Sequence, residues 1–465
     1  MTKAVPHSLP VSVPRARNDE NLFRRMLKAR KNLLAIWSDK DYGVKSLEFS
    51  LLRQQYILCN SPDMVRRVFL EEHDNYDRKS PQMRHALEPL LGDGLFASDG
   101  ELWQQRREYC APAFEKNLMP DFAGIMTESA AALVEQWQAL PAGAPVDMLN
   151  EMARLTARII GRTVFGDNTS DAEAARIVQG FTDYQRQVDQ LGLADTLGVP
   201  LLRLLRNPTR EAQARLSAQQ VHGVINDIIA RYQQDDKRQR FSLISLLLEG
   251  KMHKPGVADV CPLGAEAARN EAIVMFMAGH ETTANALAWA WYLLDHSPAA
   301  MAKLQAELDQ VLGGRHPTLE DVDNLPYTRA VFEETMRLYP PVPLLSRQAR
   351  AADSMRGRKI KPDAIMLVLP WLLHRHEKYW DQPNAFLPER FMPGQPRPNK
   401  FLYLPFSVGR RVCLGKRFGL TEGIICLATL AQQFTPRLVP GHKVAIECRL
   451  TLRPEGGLPM LLERR

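Results

Sequence analysis

The sequence predicts a mainly α-helical fold with small β-sheets, an α+β architecture in one large domain. Three observations predict it. The 465 residues are 45% apolar, 24% charged and 8% aromatic, ordinary globular values that exclude disorder, collagen-like repeats and a disulfide scaffold. Apolar residues recur at i, i+3 and i+4 in segment after segment, the helical period. One of these segments, Gly264–Asp295, is apolar on most faces and would run about 48 Å at 1.5 Å per residue, so it must cross the middle of the molecule.

The elements follow in order. Residues 1–20 read as a flexible N-terminal extension ahead of one domain over 21–465. Met1–Arg17 holds prolines and basic residues without an apolar core, so neither signal peptide nor anchor is expected. Asn21–Trp37 mixes Leu22, Phe23, Met26 and Leu27 with Arg24, Arg25, Lys28, Arg30 and Lys31. That pattern fits the solvated face of a packed helix, with a membrane-surface helix as the alternative. Strand-like alternation is confined to Ser50–Cys59, Ile365–Leu369 and the tail Lys443–Leu462. Helices are expected over Pro62–Glu71, Glu101–Tyr109, Met119–Gln138, Met148–Phe165, Asp171–Asp189, Thr209–Gln233, Gly264–Asp295, Ala299–Leu312, Asp321–Leu338 and Gly415–Phe434. Ala272–Leu294 is long enough to span a bilayer, but Gly279-His280-Glu281-Thr282-Thr283 lies at its centre. A carboxylate there costs about 2.5–3.5 kcal/mol on insertion scales, so a helix buried in protein is expected. Its threonine hydroxyls can bond back one turn and open the helix locally.

Lys and Arg number 60 against 53 Asp and Glu, a net +7. The basic residues interleave with acids and no binding motif accompanies them, so no nucleic-acid partner is expected. Six cysteines (Cys59, Cys110, Cys261, Cys413, Cys426 and Cys448) are scattered without CxxC pairs. That excludes a zinc ribbon and a disulfide framework and fits a reducing, cytoplasmic setting.

The strongest local signal is Phe406-Ser-Val-Gly409-Arg410-Arg411-Val412-Cys413-Leu414-Gly415, running directly into a helix. A thiolate in apolar surroundings stays ionised only with N–H donors and a cation nearby. Gly409 and Gly415 let the backbone fold closely around the sulfur, the helix N-terminus points its positive end there, and Phe406 would shield it from water. No second Cys or His lies near, so zinc fits poorly. One thiolate suits haem iron, whose porphyrin supplies the other equatorial bonds.

With that loop the chain resembles the cytochrome P450 family, from about residue 40 onward. Ala278-Gly279-His280-Glu281-Thr282-Thr283, Glu334-Thr335-Met336-Arg337 and Pro388-Glu389-Arg390-Phe391 stand in the family's order and spacing. The resemblance implies the P450 fold, its long central helix crossing over haem b (iron protoporphyrin IX), with Cys413 as axial ligand to the iron. Glu334, Arg337 and Arg390 would form a structural lock beneath the haem. Trp103 and Arg107, four residues apart on one helical face, with Arg347 and Arg411, would meet the propionates. Glu281 and Thr282 match the acid–alcohol pair that relays protons during reductive O2 activation, which favours an O2-dependent enzyme over a peroxide-dependent one. The A-G-H-E-T-T and P-E-R-F motifs, with Gly92-Asp93-Gly94-Leu95-Phe96, resemble the microsomal-type and bacterial fatty-acid-hydroxylase branch. Phe96, Met277 and Ala278 would then line the substrate pocket.

The chain ends soon after Cys413, so no fused reductase is expected. Electrons would come from a separate ferredoxin or flavodoxin with an NAD(P)H reductase, docking on a basic face of Arg410, Lys416, Arg417 and Arg106. The expected protein is a cytoplasmic, monomeric P450 monooxygenase without a transmembrane anchor, inserting one oxygen atom from O2 into a hydrophobic substrate. Alternatives are desaturation, epoxidation or C–C cleavage on the same scaffold, and a non-catalytic haem-binding sensor.

Overall fold

Proline and small polar caps set most helix boundaries. In the computed structural model, which describes residues 10–29, 32–141, 143–188, 196–197, 199, 207–234, 242–251, 256 and 259–465, the Ser80 hydroxyl accepts the Met83 N–H and opens α1 (Pro81–Leu91). Next come α2 (Gly100–Cys110) and α3 (Met119–Gln138). Asp147 caps α4 (Met148–Phe165), and Ser170 with Glu173 forms a capping box at α5 (Asp171–Gln187). The others used below are α6 (Pro208–Gln234), α7 (Ala265–Asp295), α8 (Pro298–Leu312), α9 (Pro326–Leu338) and α10 (Lys416–Ala431). Helix α7 runs through the main core, buried over most of its length, and packs against α4, α9 and α10. Among the described residues, no helix is long and apolar enough to cross a membrane.

Four strands form the largest sheet: β1 (Ser46–Leu51), β2 (Gln54–Cys59), β3 (Leu345–Gln348) and β4 (Ile365–Val368), in the order β1-β2-β4-β3. β2 pairs parallel with β4, Tyr56 opposite Ile365, and β3 pairs antiparallel with β4, Arg347 opposite Met366. Near the C-terminus β5 (Ile446–Cys448) and β6 (Leu452–Pro454) make a small hairpin whose turn carries Thr451.

The differences from the sequence reading have local causes. The helix expected over Asp321–Leu338 splits into a 3-10 turn at Glu320–Asn324 and α9. The ring of Pro326 forces Leu325 out of the helical region, to φ −115° and ψ 60°. The helix expected to reach Phe434 stops at Ala431, and Phe434 begins a strand paired with Pro459–Arg464. Pro62–Glu71 is α-helical to Arg66 and then takes a π-helical turn. Periodicity misses α1, whose interior carries Pro89.

Residues 10–20 of the expected loose extension lie against the domain; residues 1–9 fall outside the described residues. The Val11 N–H donates to the Tyr292 hydroxyl at 3.0 Å, and the Ala16 N–H to the Trp37 carbonyl at 3.0 Å. Within Asn21–Trp37 a helix spans Leu22–Ala29, where Arg25 pairs with Asp41 at 3.3 Å and Lys28 with Glu20 at 2.7 Å.

Candidate active site

The loop ahead of α10 folds back on itself. The Cys413 N–H donates to the Phe406 carbonyl at 3.0 Å and the Val412 N–H to the Gly409 carbonyl at 3.1 Å. Gly409 sits at φ +76°, where a Cβ would lie 2.0 Å from the Phe69 carbonyl oxygen, so only glycine fits. Cys413 keeps accessible surface although protein atoms surround its thiol. That burial pushes the thiol's pKa up, and the Gly415 N–H, Arg107 and Lys416 oppose the rise. Both terminal nitrogens of Arg107 donate to the Val412 carbonyl at 3.1 Å. Arg107 therefore braces the cysteine loop.

Cations gather on one side of this loop. The Arg411 guanidinium lies 4.3 Å from the centre of the Trp103 ring and donates to the Ser98 carbonyl and to Asp99. Arg347, on β3, lies 4.7 Å over the Phe69 ring, and the His73 ring centre is 5.9 Å from that of Trp103. Lys79 is buried as well, its ammonium 4.6 Å over the Phe96 ring. Burial lowers the basicity of each: Lys79 falls far, Arg347 to about 9 and Arg411 to about 10, and Arg347 and Lys79 are pushed further by neighbouring cations. His73 falls for the same reasons. Asp99 and Asp77 compensate only part of this charge. Buried cations in excess of buried anions favour an anionic ligand, so the donor set fits a prosthetic group that carries carboxylates. Lys79 and His73 escape the sequence reading, since no spacing pattern marks them.

In the middle of buried α7, Ala278 is exposed and Thr282 half-buried. The Thr282 hydroxyl donates to the Ala278 carbonyl at 2.8 Å, yet the helix runs on unbroken. Gly279 faces Ile160 of α4, where a Cβ would press to 2.7 Å, and the Thr156 hydroxyl donates to the His280 carbonyl at 3.0 Å. His280 packs 6.2 Å from the Phe276 ring, and burial drops its pKa to about 4, leaving it neutral. Glu281 points elsewhere. Gln185 of α5 donates to its two oxygens at 3.1 and 2.9 Å, and the Thr451 hydroxyl donates at 2.8 Å. Burial raises the Glu281 pKa against the pull of Arg453, Thr451 and Gln185. The consecutive acid and alcohol thus face different surroundings. Long-range partners such as Gln185 and Thr451 leave no trace in a single sequence.

The Glu334–Arg337 pair is fully buried. Arg337 donates to both carboxylate oxygens at 2.6 and 2.7 Å and to the carbonyls of His374, Pro383 and Ala385. Arg390 Nε stands 3.4 Å from Glu334, which also accepts the Leu387 N–H at 2.9 Å. The charges are compensated on every side, as burial demands. Helix α10 then ties the cysteine loop to α7: a Cβ on Gly419 would lie 3.6 Å from Phe406 and 3.8 Å from the Thr283 hydroxyl.

Phe96 is 36% exposed and Met277 is buried on α7. Arg410, Lys416 and Arg417 are exposed, whereas Arg106 is not part of their face. Its side chain is buried and pairs with Asp93 at 2.8 Å and Glu271 at 3.5 Å, which corrects the expected docking surface.

The family profile described as Cytochrome P450 matches residues 28–458. Cyclooctatin synthase of Streptomyces melanosporofaciens is 32% identical over 449 residues, covering 95% of this chain and 93% of the relative. Putative cytochrome P450 132 of Mycobacterium tuberculosis is 29% identical, with 91% of each chain covered. Carotene epsilon-monooxygenase of Arabidopsis thaliana, chloroplastic, is 27% identical over 89% of this chain and 78% of its own length.

Proposed function

The chain belongs to the cytochrome P450 family of haem-dependent monooxygenases, and from that premise we propose that it hydroxylates a C–H bond of a hydrophobic substrate. The observation that carries the reading is the self-closed Cys413 loop with buried cations on one side of it. A haem held by Cys413 would supply O2 activation and oxygen transfer, with electron density pushed from the thiolate favouring O–O cleavage.

The chain's own residues do the rest. Arg411, Arg347 and Trp103, joined by Lys79 and His73, would hold the propionates, and Arg107 braces the loop through Val412. Gly409 and Gly415 give the sulfur its close backbone, and Phe406 covers it. Glu334, Arg337 and Arg390 lock the fold beneath. The Thr282 hydroxyl, whose one proton goes to the Ala278 carbonyl, would hold a water by accepting from it. Glu281, its proton affinity raised by burial, moves protons behind it, held in place by Gln185 and Thr451. Phe96, Met277 and Ala278 line an apolar pocket that excludes water.

Electrons arrive from a separate ferredoxin or flavodoxin with an NAD(P)H reductase, docked over Arg410, Lys416 and Arg417. The domain over 21–465 acts as a monomer, and its free thiols suit the cytoplasm. A relative named for carotene supports testing extended hydrocarbons among the substrates.

The test is spectroscopic. Reduced wild-type protein with carbon monoxide is expected to show the strongly red-shifted Soret band of thiolate ligation, and Cys413→Ala to lack it. A variant that keeps the band overturns the ligand assignment. Spin-state titrations with fatty acids, terpenoids and aromatics then define the substrate.

A further inference from the structure

A buried carboxylate on α7 lies outside this mechanism yet grips the loop that carries Phe96. Glu271 has no exposed surface, and its two oxygens accept the single Leu95 N–H at 2.9 and 3.1 Å. Two residues earlier, Asp93 accepts from Asn270 of α7 at 3.0 Å and from Arg106 of α2 at 2.8 Å. Arg106 lies between the acids, its Nε 3.5 Å from Glu271, and the Cys110 thiol bonds to Glu271 from the same helix.

The glycines of Gly92-Asp93-Gly94 make this closeness possible. A Cβ on Gly92, at φ +55°, would meet the Asn270 side chain at 2.3 Å, and one on Gly94 would meet Val274 at 2.8 Å. The loop is thus pressed onto α7 and held at residues 93 and 95, immediately before Phe96. Burial pushes the Glu271 carboxyl up to about 7, so the fold maintains an unfavourable buried acid where an apolar side chain would pack without that penalty. What the acid adds is a two-oxygen clamp on one backbone N–H.

We propose that Glu271 is a positioning residue that fixes the Leu95 backbone and thereby sets where Phe96 stands over the substrate pocket. The proposal rests on the reading of Phe96 as a pocket residue. Asp93 and Arg106 hold the second point of the clamp.

The test uses the haem-loaded protein, with 4-phenylimidazole as optical probe and amide hydrogen exchange of residues 92–98 as a second readout. Removal of the carboxyl acceptor from a buried N–H is expected to raise exchange of this segment roughly tenfold in Glu271→Leu. Glu271→Gln, which keeps one acceptor oxygen and loses the other, falls between it and wild type. Glu271→Leu is also expected to shift the probe's Kd severalfold, with no shift once Phe96→Ala is present. Wild-type exchange in Glu271→Leu overturns the clamp; should that variant not fold, wild-type exchange in Glu271→Gln does so. An undiminished Kd shift in the Phe96→Ala background overturns the action through Phe96. Phe96→Ala alone leaving the Kd unchanged overturns the pocket reading on which the proposal stands, and the Glu271 exchange result separates that failure from failure of the clamp.

Discussion

Glu422, on the helix behind Cys413, titrates against the fold. It is fully buried beside the Thr283 hydroxyl, and burial pushes its pKa from 4.5 up to about 8. Below pH 4.5 the carboxyl is protonated in both states and has no effect. As pH rises from there to about 8 the unfolded chain ionises while the fold keeps the proton, so stability falls, and above that range the loss is complete. Glu422→Gln removes this slope. It is expected to match wild type near pH 4.5 and to unfold at a higher temperature near pH 8, the gap growing by up to about 1.4 kcal/mol per pH unit between them. Thermal unfolding at both ends of the range checks this, and parallel curves would refute it. Residues differ in how far sequence reveals them. The Cys413 loop is legible because all its parts are contiguous. The partners of Glu281 are not, because Gln185 and Thr451 lie 96 and 170 residues away and the fold alone joins them.

Between elements, the contact that matters most for the site is α9 against α10, the helix of the lock against the helix that begins beyond Cys413. Gly423 allows it. A Cβ there would fall 2.2 to 2.7 Å from the Phe332 ring, which is itself buried in α9. Gly423→Ala must therefore drive the helices apart or tilt the ring, and overpacking of this kind costs about 1–3 kcal/mol. Thermal unfolding of Gly423→Ala is expected to show that loss, and Gly423→Ala with Phe332→Leu to recover part of it. Wild-type stability in the single variant would mean that the ring yields freely. The period of each helix is readable in the sequence, since apolar side chains repeat where they face the core. Their crossing is not, because an internal glycine looks the same whether it meets a ring, as Gly423 does, or open space, as Gly124 does. Element ends divide along the same line. Pro326 announces a boundary through its own covalent geometry, while the strand at Phe434 exists only because Pro459–Arg464 lies alongside.

At the scale of the whole molecule, the long helix and the N-terminal arm meet at an aromatic cluster. Trp289 stacks on Tyr339 with ring centres 4.1 Å apart, and Tyr292 meets both edge-on. The arm lies against this cluster through its backbone. The Tyr292 hydroxyl accepts the Val11 N–H at 3.0 Å, the Tyr339 hydroxyl donates to the Val11 carbonyl at 2.8 Å, and Val13 is buried nearby. Downstream, Arg15 packs 4.0 Å over the Tyr42 ring and pairs with Asp39. Composition and prolines suggested a loose lead-in. The structure instead pins its residues 11–16, because two hydroxyls supply the partners that a strand neighbour would otherwise provide. Tyr339→Phe leaves the Val11 carbonyl unpaired, and it is expected to cost about 1 kcal/mol of stability in the full chain. The same substitution in a chain lacking residues 1–16 is expected to cost nothing measurable, since the partner is already gone. Urea unfolding of the four proteins checks the pair, and equal losses with and without the arm would show that the Tyr339 hydroxyl serves the core alone.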